Sequence, residues 1–127
     1  MDKNKITLQD YAFFNRLLEG CQIVSRDFRY LFLNEVILEH GKRPWEELLG
    51  KTMMEAYPGI ENTEMFAKLK EVMETGMPER MLNHFTYPDG SEAWFDLNIL
   101  PWPDGALILS LDISAQKRLE QIEGTQR

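Results

Sequence analysis

Two Pro-Asp-Gly triplets, Pro88-Asp89-Gly90 and Pro103-Asp104-Gly105, constrain this chain more than any other feature. Proline presets one dihedral of a tight turn and glycine relieves a strained one, so each triplet turns the chain back on itself. Around them lie three strand-like runs, Met81 to Tyr87, Ala93 to Leu100 and Ala106 to Ile113, which predict three consecutive antiparallel strands. In the middle run Phe95, Leu97 and Ile99 share one face, while Trp94, Asp96 and Asn98 share the other. In the last run Ala106, Ile108 and Ser110 oppose Leu107, Leu109 and Leu111. Both faces of that strand are apolar, so the sheet needs a cover on each side near its centre.

Upstream, Leu8, Tyr11, Ala12, Phe14, Leu17 and Leu18 recur mostly at three- and four-residue steps and predict an amphipathic helix ending near Gly20. Gln22 to Ser25 and Tyr30 to Leu33 are short β-prone runs joined by Arg26-Asp27-Phe28-Arg29, the pattern of a hairpin. A helical pattern runs from Asn34 through His40, stops at Gly41, restarts after Pro44 and ends at Gly50. Thr52 to Tyr57 forms a further short turn, closed by Pro58-Gly59. Asn62 is then read as the cap of the longest helix, striped by Met65, Leu69, Val72 and Met73 and ended by Gly76 and Pro78. After the last strand Ser114 is read as a cap, and Ala115, Leu119 and Ile122 follow at coiled-coil spacing, as in a longer helix that continues in a parent protein.

A chain of 127 residues closes one hydrophobic core and not two. Its net charge of −7 offers no clustered cations for a phosphate backbone or an anionic bilayer, so neither nucleic acid nor membrane is an expected partner. The apolar runs are too short to span a bilayer and the first residues lack the apolar core of a signal peptide, so a cytoplasmic location is expected for this segment. The single cysteine, Cys21, has no internal partner and reads as a small buried hydrophobe.

Helix, two strands, several short helices and one longer one, three antiparallel strands and an exit helix: this order resembles the PAS fold. The local sequence is similar to PAS modules of bacterial sensor kinases at several points. These are Asn34 directly after Tyr30-Leu31-Phe32-Leu33, Glu47-Leu48-Leu49-Gly50-Lys51, Pro88-Asp89-Gly90-Ser91 followed by Trp94, and Leu111-Asp112-Ile113-Ser114. The resemblance covers roughly Leu17 to Glu120. It implies an α+β domain with a five-stranded antiparallel sheet, short helices on one face, an N-terminal flanking helix and a C-terminal exit helix. The expected division is 1–20 for the flanking helix, 21–113 for the core and 114–127 for the start of a signalling helix.

The resemblance also implies a pocket between the sheet's inner face and the short helices, with Met53, Phe66, Leu69, Phe85, Phe95, Leu97, Ile99, Ile108 and Ser110 as its candidate lining. The cofactor is left unnamed. Flavin photosensors of the family carry a reactive cysteine shortly after the Leu-Gly step, where this chain has Met53, and a thioether forms no photoadduct. Their flavin-facing amide side chains correspond to Phe85, Phe95 and Ser110, which do not offer the same hydrogen bonds. Haem-binding members draw an axial histidine from the long helix or its neighbourhood, and Asn62 to Thr75 contains none. Flavin and haem are both disfavoured.

Other candidates have plainer readings beside the sharper ones. If Phe85 faces inward, alternation turns His84 outward, to a surface or interface role ahead of a ligand or proton switch. His40, just before Gly41, is placed to interact with a helix C-terminus. Cys21, His40 and His84 lack metal-ligand spacing. Asp96, Glu92 and His84 could share a sheet face as an acid–base set, and a solvated face is the preferred reading. Met53, Met54, Met65, Met73, Met77 and Met81 read as core packing before an adaptable pocket. Trp94, Leu107 and Leu109, with Leu8, Tyr11, Phe14 and Leu18, either form a dimer surface or are buried within one chain; the residues leave both open.

The resulting expectation is a non-catalytic sensory domain. It binds a small molecule or forms a homodimer, and passes the change through Asp112, Ile113 and Ser114 to an effector in the same chain, a histidine kinase core in the sensor kinases it resembles. A small α+β enzyme and a ligand-free dimerisation module are the alternatives.

Overall fold

The computed structural model describes residues 19–125. The expected N-terminal helix, with Leu8, Tyr11, Phe14 and Leu18, lies outside the described residues. Strand β1 (Gly20–Ser25) and strand β2 (Tyr30–Leu33) form the hairpin. Helix α1 (Glu35–Gly41), a 3-10 turn (Trp45–Glu47), the short α2 (Met53–Ala56), a second 3-10 turn (Ile60–Asn62) and the longer α3 (Glu64–Thr75) follow. Strands β3 (Glu79–Thr86), β4 (Glu92–Trp102) and β5 (Gly105–Asp112) form the meander, and α4 (Ser114–Thr125) leaves from its end.

The five strands make one antiparallel sheet in the order β2-β1-β5-β4-β3. The first and last strands of the chain are therefore neighbours at the centre. Contact between β1 and β5 is made possible by Gly105: a Cβ there would stand 1.9 Å from the carbonyl oxygen of Val24, inside any permitted contact. Gly105 is the first residue of β5 and is not among the positive-φ glycines, so the glycine of the Pro103-Asp104-Gly105 signature serves a close approach of two backbones and not the strained turn dihedral that the sequence suggests.

The helices cover one face. Val24, Met53, Phe66, Leu69, Val72, Phe95, Leu97, Ile99 and Ile108 belong to a single buried cluster between that face and α2 and α3. Burial of each such side chain contributes about 1.5–3 kcal/mol, which makes this cluster the main support of the fold. On the opposite face Cys21, Ile23, Phe32 and Leu107 form a second cluster, with Leu100, Trp102 and Leu109 packed against it. Both faces of β5 are thus occupied, as its two apolar sides require.

Two helix starts differ from the sequence reading. Thr63, and not Asn62, caps α3: its extended backbone lets Oγ1 accept from the N–H of Phe66 at 3.2 Å, while Asn62 is spent in the preceding 3-10 turn. Ser114 is the first residue of α4 and not its side-chain cap. The carboxylate of Asp112 accepts the Ser114 N–H at 2.9 Å, and the Ser114 hydroxyl is engaged elsewhere. At the end of α1 the left-handed residue is Lys42 (φ 56°), one position beyond Gly41. Strand β4 extends past Leu100 to Trp102, pairing Pro101 with Ala106 and Trp102 with Gly105. Met77 is 64% exposed and is no part of the core, whereas Met53 and Met81 are buried.

Candidate functional site

Asn34 directly follows β2 and caps α1, and it is fully buried. Its Oδ1 accepts from the N–H of Cys21 at 2.9 Å and from the N–H of Ile37 at 3.0 Å, while Nδ2 donates to the carbonyl of Glu19 at 3.0 Å. One side chain thereby locks α1 to β1 and sets where that helix meets the sheet. Buried amides of this kind are satisfied or very costly. The hairpin tip is held to α2 in turn: Phe28, at φ 66°, offers its carbonyl to the N–H of Met53 at 2.8 Å, and its ring packs at a tilt against Phe66 of α3 with centroids 4.6 Å apart.

The nine pocket candidates all come together on the helix-covered face. Met53, Phe66, Leu69, Phe95, Leu97, Ile99 and Ile108 are buried in one cluster, Phe85 packs against it half-buried, and Ser110 is 3% exposed. Polar function enters this apolar zone at one end. The His40 ring lies with its centroid 4.9 Å from that of Phe95, and its Nδ1 is 3.5 Å from Ser110 Oγ. The imidazole faces the sheet, and its backbone carbonyl accepts the Tyr87 hydroxyl. Burial lowers the His40 pKa below its ordinary value, against the opposing pull of Asp112 and then Glu39. A distinct open cleft of about 450 Å³ lies between the hairpin and α3, lined by Arg26, Phe28, Lys70, Met73 and Glu74.

The fit of the family's cofactors can be judged from these side chains. Met53 is 1% exposed in the packed core, and the chain's thiol, Cys21, lies on the far side of the sheet. Burial, and then Glu19, push that thiol up to about 12, so it is held protonated and unreactive. No thiol faces the position where a flavin adduct would form. Both histidines of the chain lie outside α3. Among the described residues no cluster of His, Cys, Asp and Glu is arranged to hold a metal ion.

On the open face His84 stacks on Trp94, with ring centroids 4.5 Å apart and planes 11° from parallel, and its Nε2 is 3.5 Å from Glu92. Alternation correctly turns it outward. Asp96 shares the face but is bound side-on by Arg80, whose Nε donates at 2.8 Å. That hydrogen bond and charge hold the Asp96 carboxyl below its usual range, the reverse of what a general acid requires. The acid–base set is therefore divided between two separate pairs. Leu107 is buried, Leu109 half-buried and Leu111 exposed along the same face.

The three relay candidates form a junction that also recruits Trp94. The Trp94 N–H donates to Ser114 Oγ at 3.0 Å, and the Trp94 carbonyl accepts from the N–H of Ile113 at 2.9 Å. The ammonium of Lys117, one turn into α4, stands 5.2 Å from the Trp94 ring centroid. Burial would raise the Asp112 carboxyl, but hydrogen bonds from Ser114 and the charges of His40 and Arg118 bring it below its ordinary range. Sequence reasoning missed that Trp94 belongs to this junction and that His40 meets Ser110.

A single antiparallel sheet with its helices gathered on one face and an outgoing helix at its last strand defines an α+β sensory-type domain. A family model described as the PAS fold matches residues 14–118, and the chain belongs to that family. None of the curated proteins matches it in sequence. Among solved structures, the Vibrio cholerae VqmA dimer in the absence of target DNA is similar over 88% of this chain and 53% of that one, with a TM-score of 0.71 and 21% identity. A domain of the sensory box sensor histidine kinase/response regulator from Geobacter sulfurreducens matches over 80% of this chain and 89% of that one, with a TM-score of 0.65 and 22% identity. The Rhodobacter sphaeroides LOV protein matches over 81% and 64%, with a TM-score of 0.66 and 16% identity. The chain thus spans about half of the VqmA chain and under two thirds of the LOV chain. At such identities the likeness is one of fold. No helix among the described residues is long and apolar enough to cross a membrane.

Proposed function

We propose that this chain is the sensory module of a larger signalling protein, in which a change between the sheet and its helices is passed from β5 to α4. One observation carries the reading: the last strand runs directly into the exit helix, and Ser114, at the head of that helix, is hydrogen-bonded back to β4. A packing change felt by Phe95 or Ile108 has only a few bonds to travel before it reaches α4. For such a change to act as a signal, the stimulus must bind the two states of the junction unequally.

The input is a small molecule held among Met53, Phe66, Leu69, Phe85, Phe95, Leu97, Ile99, Ile108 and Ser110, and the working unit is a homodimer. Exposed Leu82 and Leu111 on the sheet and exposed Leu119 and Ile122 on α4 support the dimer, because a partner would cover large apolar side chains that the chain itself leaves open. Residues 21–113 act as the core, 1–20 as a flanking helix and 114–127 as the start of the signalling helix. The effector is a histidine kinase core in the same polypeptide, a reading supported by the similarity to the Geobacter sulfurreducens domain. The net charge of −7 supports a module that does not itself contact nucleic acid, and the module works in the cytoplasm without catalysis of its own.

Native mass spectrometry of the purified 127-residue chain tests this. The expected result is a dimer that retains a small molecule under gentle ionisation. A monomer that carries nothing at any concentration would remove both parts of the input.

A further inference from the structure

We infer that the cleft between the β1–β2 hairpin and α3 is a binding site for a free amino acid with a large apolar side chain. It is separate from the pocket between the sheet and the short helices, and it stands whether or not that pocket takes a ligand.

The cleft holds about 450 Å³, within the range of about 300–1,000 Å³ usual for small-molecule sites, and is lined by Arg26, Phe28, Lys70, Met73 and Glu74. Phe28 and Met73 supply its apolar wall. Both are half-buried and pack against the core cluster, so the fold backs that wall and holds it in place. The N–H of Phe28 closes the hairpin turn on the Ser25 carbonyl at 2.9 Å, with φ at 66°, a conformation that favours glycine. A glycine would suit the turn and leave the cleft without its wall. The chain instead carries a large ring at a strained position, as binding sites often do.

The charged groups show what an apolar body bound there must carry. Lys70 and Glu74 are four residues apart on α3, with Met73 on the same face, and the hairpin presents Arg26. Arg29, Arg43, Lys68, Arg80 and Lys117 each hold a carboxylate. Among the described residues the side chains of Arg26, Lys70 and Glu74 form no ion pair or hydrogen bond, although all three line one cleft. Lys before Glu at this helical spacing pairs less well than the reverse order, which leaves both open to a ligand.

An amino acid answers all of these groups at once. Its carboxylate goes to Arg26 and Lys70, its ammonium to Glu74, and its side chain to Phe28 and Met73. A plain carboxylate sets a second anion beside Glu74 and offers it no donor, and a plain amine adds a third cation to Arg26 and Lys70. A residue within a peptide lacks both terminal charges, so the site favours the free amino acid. Because Arg26, Lys70 and Glu74 are exposed, binding weakens as salt is added.

The test is a backbone-amide NMR titration of the 127-residue chain with L-phenylalanine, set against phenylpropionate, phenylethylamine and glycine, which lack the amine, the carboxylate and the side chain in turn. L-phenylalanine shifts the amides of Phe28, Lys70, Met73 and Glu74 saturably. Phenylpropionate and phenylethylamine bind about fivefold more weakly, the factor that one exposed charge pair supplies, and glycine gives no saturable shift. Arg26→Gln and Lys70→Gln each weaken L-phenylalanine by about the same fivefold factor. Glu74→Gln erases the preference for L-phenylalanine over phenylpropionate. All three substitutions are at exposed positions, and unshifted amides elsewhere confirm that each variant is folded. The inference is overturned if the four amides show no saturable shift, or if the shifts gather instead at Ile99, Ile108 and Ser110 in the core. Equal affinity of the wild type for L-phenylalanine and phenylpropionate overturns it too, as does a preference that survives Glu74→Gln.

Discussion

The N–H of Trp94 donates to the hydroxyl oxygen of Ser114 at 3.0 Å, joining the long central strand of the meander to the first residue of the exit helix. Replacing that oxygen leaves the half-buried amide of Trp94 without its partner. Ser114→Ala is expected to cost about 0.5–1.5 kcal/mol in urea unfolding and to speed hydrogen exchange at Trp94. Ser114→Thr keeps the oxygen and should stay near the wild type. Equal exchange at Trp94 in all three proteins would show that the bond has no bearing on the junction.

Asn34 has a larger role because it is fully buried and serves three backbone groups. Asn34→Ala strands the amides of Cys21 and Ile37 and the carbonyl of Glu19, and is expected to destabilise the domain by about 3 kcal/mol in denaturant unfolding. A loss below about 0.5 kcal/mol would mean that water replaces the side chain, and would weaken the claim that Asn34 fixes α1 against the sheet.

Gly105→Ala tests the close approach of the central strands. The added methyl has no room beside the Val24 carbonyl, so the β1–β5 pairing must open locally, at an expected cost of about 3 kcal/mol in thermal or urea unfolding. An unchanged midpoint would contradict the register between Ser25 and Gly105.

The pH dependence of stability follows from the direction of two shifts. His40 has its folded pKa below the ordinary 6.5, so the unfolded chain takes the proton first as pH falls. Stability therefore declines below about pH 6.5 and levels off once the folded domain is protonated too. Asp96 acts in a different window. Arg80 lowers its folded pKa, so its contribution is present above the ordinary carboxylate range and is lost as pH falls through the depressed value. Urea midpoints collected across the two windows should show His40→Gln flattening only the upper step and Asp96→Asn only the lower one.

Much of the architecture was legible because it rests on local chemistry. The two Pro-Asp-Gly turns dictate a meander, and strict alternation in Ala93 to Leu100 assigns Phe95, Leu97 and Ile99 to the helix-covered face, where they are buried. What was not legible depends on choices between neighbours. Asn62 and Thr63 are both good caps, and only the preceding 3-10 turn decides for Thr63. Asp112 and Ser114 both have the right oxygen, and the decision comes from Trp94, twenty residues away, which claims the hydroxyl. The site suffered most from this non-locality. His40 and Ser110 are far apart in sequence and meet because β5 is placed beside β1 at the centre of the sheet.

Hydrogen exchange along α4 in a double-mutant comparison tests the central claim most directly. Ile108→Val removes one methylene from the core beneath the helices, a change of about 0.5–1.5 kcal/mol. It is predicted to alter protection in the first turn of α4 when Ser114 is present, and to lose most of that effect in the Ser114→Ala background. If α4 exchanges identically with Ile108 or Val, or responds to the core just as strongly without the Ser114 hydroxyl, the junction does not carry the signal.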